Sequence, residues 1–501
     1  MKKLYILLTV ALGVASCSSL DEYLDINVDP NSVSEETVTS SMLMPAIEMS
    51  ICASYNDFLQ ITGGYYAQHY AQSFGTSNYL DYSQFTMSAT RSSSTYTQFA
   101  TLALNNIATV LEKSAEDEDY GTALAATTLR VFVYQVLVDM YGEIPYSESL
   151  DLDNLSPKYD DGKDIYYGIL DELDAALAMV DSDADSVCDN FLFGTSDVDN
   201  WVSFANALKL RILMRMSDKE DVQTQLDTLV AEDNFPTSDV AFTGIWSDAS
   251  GQANPFYQEE FATYFGSTQV NCIANVSILR TLDGDPRQAT FFAEGGDFGY
   301  TYGGVSGSNL STGDIGAGDL CRPNVSYDSP AVLISVCETE FLLAEYYAEK
   351  DMSTEAQAHY EAAIEASFDM SDTEGASSIY TGSTYKWDDS KAIELIGIQK
   401  WIALAYFNSF EAWCELRRLG YPEFDSSYKD GESIFDESDG TYDDSIYTAG
   451  TLYTPTKVDS EVGSYKTIQR FKYPESSTST NSNAPSQQTL DVPVFWAKLA
   501  E

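Results

Sequence analysis

The sequence predicts a mainly α-helical protein: a tetratricopeptide-like helical-repeat scaffold with long irregular ligand-binding loops and few short strands. Three observations predict it. Apolar residues recur at helical spacing in long stretches between residues 122 and 419. Two helix pairs carry small and apolar residues at the offsets of a repeat template. The tracts between them, 235–275, 285–330 and 424–490, are rich in Gly, Ser, Asp and aromatic residues and show no periodicity. Loops of that length are unusual in a compact domain unless they carry function.

The chain opens with Met1-Lys2-Lys3, an apolar run from Leu4 to Val14, and then Ala15-Ser16-Cys17. A charged start, a short apolar core and small residues at the cut describe an export signal. The run is too short to span a bilayer. A Cys directly after two small residues looks like the lipobox of bacterial lipoproteins, in which that Cys is acylated and becomes the new N-terminus. The expected organisation is therefore a signal peptide over residues 1–16, a lipidated, extended tether over 17–40, and a single helical domain over 41–501. Asp29-Pro30-Asn31 supplies turn chemistry within the tether.

The stretch 122–140 is apolar enough for a buried helix. Residues 164–180 place Ile165, Ile169, Leu173, Ala176, Leu177 and Val180 on one stripe, with Asp160 or Asp161 available as the cap. Residues 199–216 show Trp201, Phe204, Leu208 and Ile212 at helical spacing. Residues 333–349 and 354–367 form a helical pair broken by Asp351-Met352-Ser353. Residues 389–419 read as one or two helices ended by Gly420 and Pro422. Against the repeat template, Leu343, Ala344 and Tyr347 fit a first helix and Ala356, Tyr360 and Ala363 a second. Trp201, Phe204, Ala205 and Leu208, with Val222, Leu226 and Leu229 behind a longer turn, match a second pair.

Composition narrows the function. The chain has 501 residues, 26 Lys+Arg against 78 Asp+Glu, and a net charge of −52. Nucleic acid is excluded as a partner, because its binding requires phosphate neutralisation. Docking on anionic lipid by a basic patch is excluded on the same ground. The charge reads as a solubility device or as a preference for neutral or cationic ligands. Beyond residue 17 no stretch approaches eighteen consecutive apolar residues. Besides Cys17 there are six scattered cysteines and no Cys-x-x-Cys pair, so buried apolar roles are expected for most of them.

Enzyme signatures are missing. His69 and His359 are the only histidines and lie near no cysteine, so no zinc cluster is expected. There is no Gly-x-Ser-x-Gly elbow and no phosphate-binding glycine loop after a strand. Asp181, Asp183 and Asp185 begin like a calcium loop, but Ser186 and Leu192 occupy its sixth and twelfth positions. No cofactor is expected, and calcium is left without a supporting motif. A glycosidase needs only two carboxylates, a criterion too permissive in so acidic a chain.

Four segments converge on one family. Leu137-Val138-Asp139-Met140-Tyr141-Gly142-Glu143-Ile144-Pro145-Tyr146 resembles the Tyr-Gly-Asp-Ile-Pro-Tyr turn of SusD/RagB outer-membrane lipoproteins. Trp201 through Arg211 resembles their Trp…Phe-Ala-Asn-Ser-Leu-Lys-Leu-Arg helix. Gln399-Lys400-Trp401 through Glu411-Ala412-Trp413 and Arg417-Arg418-Leu419-Gly420-Tyr421-Pro422 resemble a third segment, and Arg470-Phe471-Lys472-Tyr473-Pro474 a fourth. The Ser/Thr-rich stretch after Pro474 departs from the pattern. Asp21 and Glu22, close behind Cys17, are similar to the surface-export signal of Bacteroidetes lipoproteins and also read as a solvated linker.

The resemblance implies a SusD-like fold with four tetratricopeptide-like units, anchored in the outer membrane by lipid. It implies a lid over a SusC-like, TonB-dependent transporter, an oligosaccharide or peptide ligand, and no catalysis. The rival readings are a surface glycoside hydrolase and a tetratricopeptide scaffold that binds protein alone. The motif residues Trp201, Trp401, Trp413, Arg417 and Arg418 are expected to pack helices or cap carbonyls, not to touch ligand.

Sugar binding needs exposed rings and a polar rim. Residues 77–91 supply Asn78, Tyr79, Asp81, Tyr82, Gln84 and Arg91 in a polar-aromatic loop, and the resemblance implies that relatives use this part of the chain. Trp246, Tyr300 and Tyr302 are the mid-chain candidates, with Trp246 first among them. Loop packing is the competing role for every one of these rings.

Overall fold

A computed structural model describes residues 37–498 apart from 74–75, 152, 264–270, 301–302, 308–316, 425–434, 437–440, 443–447, 456–457 and 464–465. Cys17, the signal segment and most of the expected tether lie outside the described residues.

The described chain enters through helix α1 (Ser40–Ala53), passes without a break through a π-helical turn (Ser54–Leu59), and continues as α2 (Gln60–Tyr66). Periodicity did not mark this run, because every residue of α2 is buried and no polar face alternates with an apolar one. Pro45 inside α1 and the Gly63-Gly64 pair also punctuate the sequence like a loop. Gly63 has a packing reason: a Cβ there would lie 2.4 Å from Phe410 Cα. A second π-helical turn (Gln98–Leu104) leads into α3 (Asn105–Asp117).

Helix α4 (Tyr120–Tyr141) is capped by Asp119, whose carboxylate accepts the Thr122 N–H at 3.0 Å. By length and apolarity it would pass for a membrane span, yet 89% of its most apolar window is buried inside the protein. It is the axis of the core. Helix α5 (Gly162–Met179) begins behind Asp161, whose carboxylate accepts the Lys163 N–H at 2.9 Å. Helix α6 (Val198–Met216) is capped in the same way by Asp197, and α7 (Gln223–Glu232) follows it.

Helix α8 (Val336–Glu349) starts three residues later than its periodicity implied, because residues 331–334 form a strand instead. Helices α9 (Ser353–Met370), α10 (Ala392–Leu404) and α11 (Ser409–Leu419) complete the scaffold. Gly420 ends α11 in the left-handed region at φ 77°, where glycine has no Cβ penalty. The repeat template holds in both pairs. Ala344 on α8 and Ala356, Tyr360 and Ala363 on α9 are all fully buried. On α6 and α7, Trp201, Phe204, Ala205, Leu208, Leu226 and Leu229 are buried too.

The mid-chain tracts are less irregular than the sequence implied. Three antiparallel two-stranded ladders fasten them to the helical body and to one another. Strand β1 (Tyr70–Gln72) pairs with β3 (Cys272–Ala274), and β2 (Val240–Phe242) with β6 (Ala331–Ile334). Strand β4 (Phe292–Ala293) pairs with β5 (Arg322–Pro323). Runs of two to four residues are too short for alternation to register. A further pair joins Phe435–Asp436 to Thr441–Tyr442.

The core holds an extended charge network. Asp139 on α4 binds Arg215 Nη1 at 2.5 Å, and Arg215 also engages Glu411 and Glu415 on α11. Arg211 binds Glu338 on α8 at 2.6 Å, Lys400 on α10 binds Glu415 at 2.8 Å, and Arg418 forks onto Glu345 at 2.5 and 2.6 Å. Trp496 Nε1 donates to Asp139 at 2.9 Å. Every one of these charged groups is buried. Of the six cysteines besides Cys17, five are buried, Cys188 is half-buried, and all six are free thiols.

Candidate functional site

Strand β1 delivers the chain to residues 77–91, and Gln72 on β1 and Asn271 just before β3 hold them. Gln72 Oε1 accepts the Tyr79 N–H at 2.8 Å, and Asn78 Nδ2 donates to Asn271 Oδ1 at 3.0 Å. A four-residue helix, Leu80–Ser83, follows. The spacing of three between Tyr79 and Tyr82 puts both rings on one face of this turn. They stack on each other with centroids 5.3 Å apart and planes 14° apart. Tyr65 meets both edge-on, and Phe58 meets Tyr82 at 6.1 Å.

This corrects the expected role of the two rings. Tyr79 is 6% exposed and Tyr82 5%, so neither offers a free face for a sugar. They form the floor beneath a polar rim. Their i, i+3 spacing, the mark of one apolar face, was the signal that could have shown it.

The rim is Asn78, Asp81 and Arg91. Arg91 grips Asp81 in a fork, Nε to Oδ2 at 2.5 Å and Nη2 to Oδ1 at 2.8 Å, and Nη2 also donates to the Asn78 carbonyl at 3.2 Å. The guanidinium carbon sits 4.8 Å from the centroid of Tyr82. The hydrogen bonds to Asp81 raise the Arg91 pKa further, so its charge is permanent. Such a fork holds donors and acceptors in one plane without burying them. Gln84 Nε2 donates to the Gly307 carbonyl at 3.3 Å, and the Gly307 N–H donates to Ser83 Oγ at 3.0 Å. The tract near residue 305 thus borders the same surface.

Beneath the rim lies buried acid. Glu260 accepts the Cys272 N–H at 2.7 Å and also the Asn271 N–H. Burial pushes its carboxyl up to about 7, against those N–H donors. The Tyr79 hydroxyl is buried with no hydrogen-bond partner among the described groups, and burial drives its pKa far upward. Tyr79→Phe should therefore leave the thermal midpoint unchanged or raised, since the unmade hydrogen bond is deleted. A clear loss of stability would show that the hydroxyl is satisfied after all.

The mid-chain candidates are more scattered. Trp246 is half-buried at the edge of the core, with its indole N–H donating to the Phe242 carbonyl at 3.2 Å. Tyr300 is half-buried, its carbonyl accepts from Arg280 Nη1 at 3.4 Å, and burial raises its phenol. Tyr302 lies outside the described residues. Among the described residues, no hydrogen bond or ring contact joins Trp246 or Tyr300 to Asn78, Asp81 or Arg91.

The motif residues are structural, as the sequence implied. Trp201, Trp401 and Trp413 are at most 2% exposed. Arg417 Nη1 donates to the carbonyls of Asp139 at 3.0 Å and Gln469 at 2.8 Å, which ties the third motif to the first and to the residue just before the fourth. Phe471 links the fourth motif itself to the third, stacking on Trp413 at 5.3 Å. The 141–146 turn does more than join a helix to a loop: Ile144 and Pro145 line a cleft of about 390 Å³ that the sequence did not reveal. Among the described residues, no group of three or more His, Cys, Asp or Glu side chains is placed to hold a metal ion.

Against known proteins, residues 30–436 match a family model described as "SusD-like_2: Starch-binding associating with outer membrane". Three solved structures illustrate the likeness. A SusD homologue from Bacteroides uniformis is 20% identical, with TM-score 0.69, covering 92% of this chain and 99% of its own. A chitin-binding protein is 19% identical, with TM-score 0.70 and coverage of 92% and 99%. A SusD homologue from Bacteroides thetaiotaomicron is 22% identical, with TM-score 0.68 and coverage of 93% and 100%. At such identities the likeness establishes the fold. No curated protein matches the chain by sequence.

Proposed function

Because the chain belongs to the SusD-like family of starch-binding proteins that associate with the outer membrane, we propose that it captures oligosaccharide at the cell surface as the lid of a SusC-like, TonB-dependent transporter. In this reading it is anchored through acylated Cys17, exposed on the surface, and performs no catalysis. Peptide remains the alternative ligand. The reading needs neither a cofactor nor calcium.

One observation carries the ligand class: the Arg91–Asp81 fork beside Asn78 over a buried tyrosine stack. A saccharide presents paired hydroxyls, and a planar fork with an adjacent amide meets them with directed donors and acceptors. The net charge of −52 repels anionic ligands and leaves neutral sugars unopposed. Trp246 and Tyr300, half-buried, serve as secondary ring contacts.

Isothermal titration of the soluble chain against malto- and chito-oligosaccharides tests this reading. Arg91→Ala is expected to weaken binding of the oligosaccharide that the wild type accepts by roughly tenfold, about 1.4 kcal/mol, without lowering the thermal midpoint. Wild-type affinity in that variant would remove the rim from the site. Trp246→Ala should weaken the same ligand to a smaller degree. Hydrolysis products on incubation would overturn the binder reading in favour of a glycosidase.

A further inference from the structure

We propose that Asp57 and Glu259, two unpaired carboxylates beside the rim of Asn78, Asp81 and Arg91, bind an ammonium group, so that the captured oligosaccharide carries free amino groups; the inference rests on the capture reading above. Asp57 stands on the π-helical turn Ser54–Leu59 and Glu259 on another, Gln258–Thr263. π-Helical turns are rare and frequently mark functional sites. The short helix Pro255–Tyr257 runs directly into the second turn and packs against the first. Phe58, next to Asp57, meets Tyr82 edge-on at 6.1 Å. Glu260, next to Glu259, accepts the Asn271 N–H, and the Asn271 side chain accepts from Asn78. Both carboxylates thus act on the tyrosine stack that underlies the rim.

Three observations choose the guest. First, the pair has no cation. Asp57 and Glu259 are each only partly exposed, and among the described residues neither makes a hydrogen bond or an ion pair. Burial, and then the like charge of Glu259, push the Asp57 carboxyl well above the usual carboxylate range. Arg91 is committed to Asp81, and Arg322 lies over the Phe261 ring, 5.8 Å from its centroid. Sheltered carboxylates side by side are stabilised by whatever positive charge is brought to them.

Second, the Tyr79 hydroxyl faces the pair. It belongs to a side chain 6% exposed and has no hydrogen-bond partner among the described groups. The groups acting on it are the Cys272 thiol and the carboxyls of Glu260, Glu259 and Asp57. A phenol oxygen accepts as well as donates, so with two carboxylates it matches the three N–H donors of an ammonium.

Third, the donor set suits an ammonium better than a metal ion. Calcium takes about six to eight oxygens. Among the described residues no group of three or more His, Cys, Asp or Glu side chains is placed to hold a metal, and Glu260 is already occupied by the Asn271 and Cys272 N–H groups. The rim decides between a sugar amine and a lysine side chain. The Tyr82 hydroxyl is acted on by Arg91 and Asp81 on one hand and by Asp57 and Glu259 on the other. A guest that fills both places offers hydroxyls to the fork and a cation to the pair, which describes an amino sugar.

Isothermal titration of the soluble chain at pH 6 compares glucosamine oligosaccharides, with their amines protonated, against fully N-acetylated oligosaccharides of the same length. The amino form is expected to bind roughly tenfold tighter. Asp57→Asn and Glu259→Gln should each remove most of that advantage, with the thermal midpoint not lowered and binding of the N-acetylated form unchanged. Asp183→Asn deletes an exposed carboxylate elsewhere and should preserve the advantage, which separates the pair from the general attraction of a chain at −52. Equal affinity for the two forms, or an advantage that survives both variants, overturns the ammonium site and leaves oligosaccharide capture intact. Calcium that binds the wild type but neither variant and displaces the amino sugar overturns it in favour of a metal site. Tri-lysine that binds more tightly than the amino sugar overturns it in favour of a peptide. Failure of glucosamine, N-acetylglucosamine and malto-oligosaccharides alike to bind overturns the capture reading and this inference with it.

Discussion

Replacing Arg215 by methionine is expected to cost about 3–5 kcal/mol of stability, enough to leave much of the protein unfolded at growth temperature. Arg215 is fully buried and bridges Asp139 on α4 to Glu411 and Glu415 on α11. Methionine fills much of the volume, so the loss is mainly electrostatic. It strands carboxylates that burial has already removed from water, and an unpaired buried charge costs far more than its pair contributed. Glu411 is the most vulnerable, since one of its oxygens already lacks a hydrogen-bond partner among the described groups. The comparison is Arg130→Met, which breaks a bridge to Glu172 whose side chains are 16% and 31% exposed. That change should cost about 1 kcal/mol or less. Urea denaturation of the two variants checks the contrast, and equal losses would mean that the buried network does not hold these helices together.

The protein is expected to be more stable at pH 5.5 than at pH 8. Burial pushes Glu48, Glu260 and Glu411 from the ordinary 4.5 up to about 7. The opposing groups are the Phe191 and Leu192 N–H at Glu48, the Cys272 and Asn271 N–H at Glu260, and Arg215 and Arg211 at Glu411. Each carboxyl holds its proton more tightly in the folded chain than in the unfolded one. Its contribution is therefore complete below pH 4.5 and is lost as pH rises through about 7.

Roughly 1–3 kcal/mol per group is at stake. Weaker self-repulsion at lower pH acts in the same direction in a chain of net charge −52. On the acid side stability declines as pH falls below the ordinary carboxylate range, where carboxyls that the fold holds low, Glu415 and Asp160 among them, take up protons. Against the upward push of burial, Arg418 and Lys400 hold Glu415 well below the usual carboxylate range. Urea midpoints at the two pH values decide the matter, and Glu48→Gln should remove part of the difference. A midpoint that rises from pH 5.5 to 8 would show that these carboxyls are ionised in the folded chain.

Much of the scaffold was legible because its signals are local. Asp161 before the stripe of α5, Gly420 after α11, and the three-residue break between α8 and α9 mark boundaries by backbone chemistry that adjacent residues carry. Helices α1 and α2 were not legible, because an element buried on every side has no polar face to set its period. The short ladders were hidden for a related reason: β1 meets β3 across two hundred residues, and no property of either segment alone announces the other.

The candidate site divides along the same line. The sequence by itself determined which family scaffold this chain builds, where most of its helices run, and which residue types crowd residues 77–91. It also determined that the tryptophans and arginines of the family motifs serve packing. Only the tertiary structure decided that Tyr79 and Tyr82 face inward while Asn78, Asp81 and Arg91 form the rim. It alone assembled a charge network from five helices and opened a cleft beside the 141–146 turn. The physical reason is that propensity, capping and periodicity act within a few residues, whereas burial is settled by whatever the rest of the chain brings against each face.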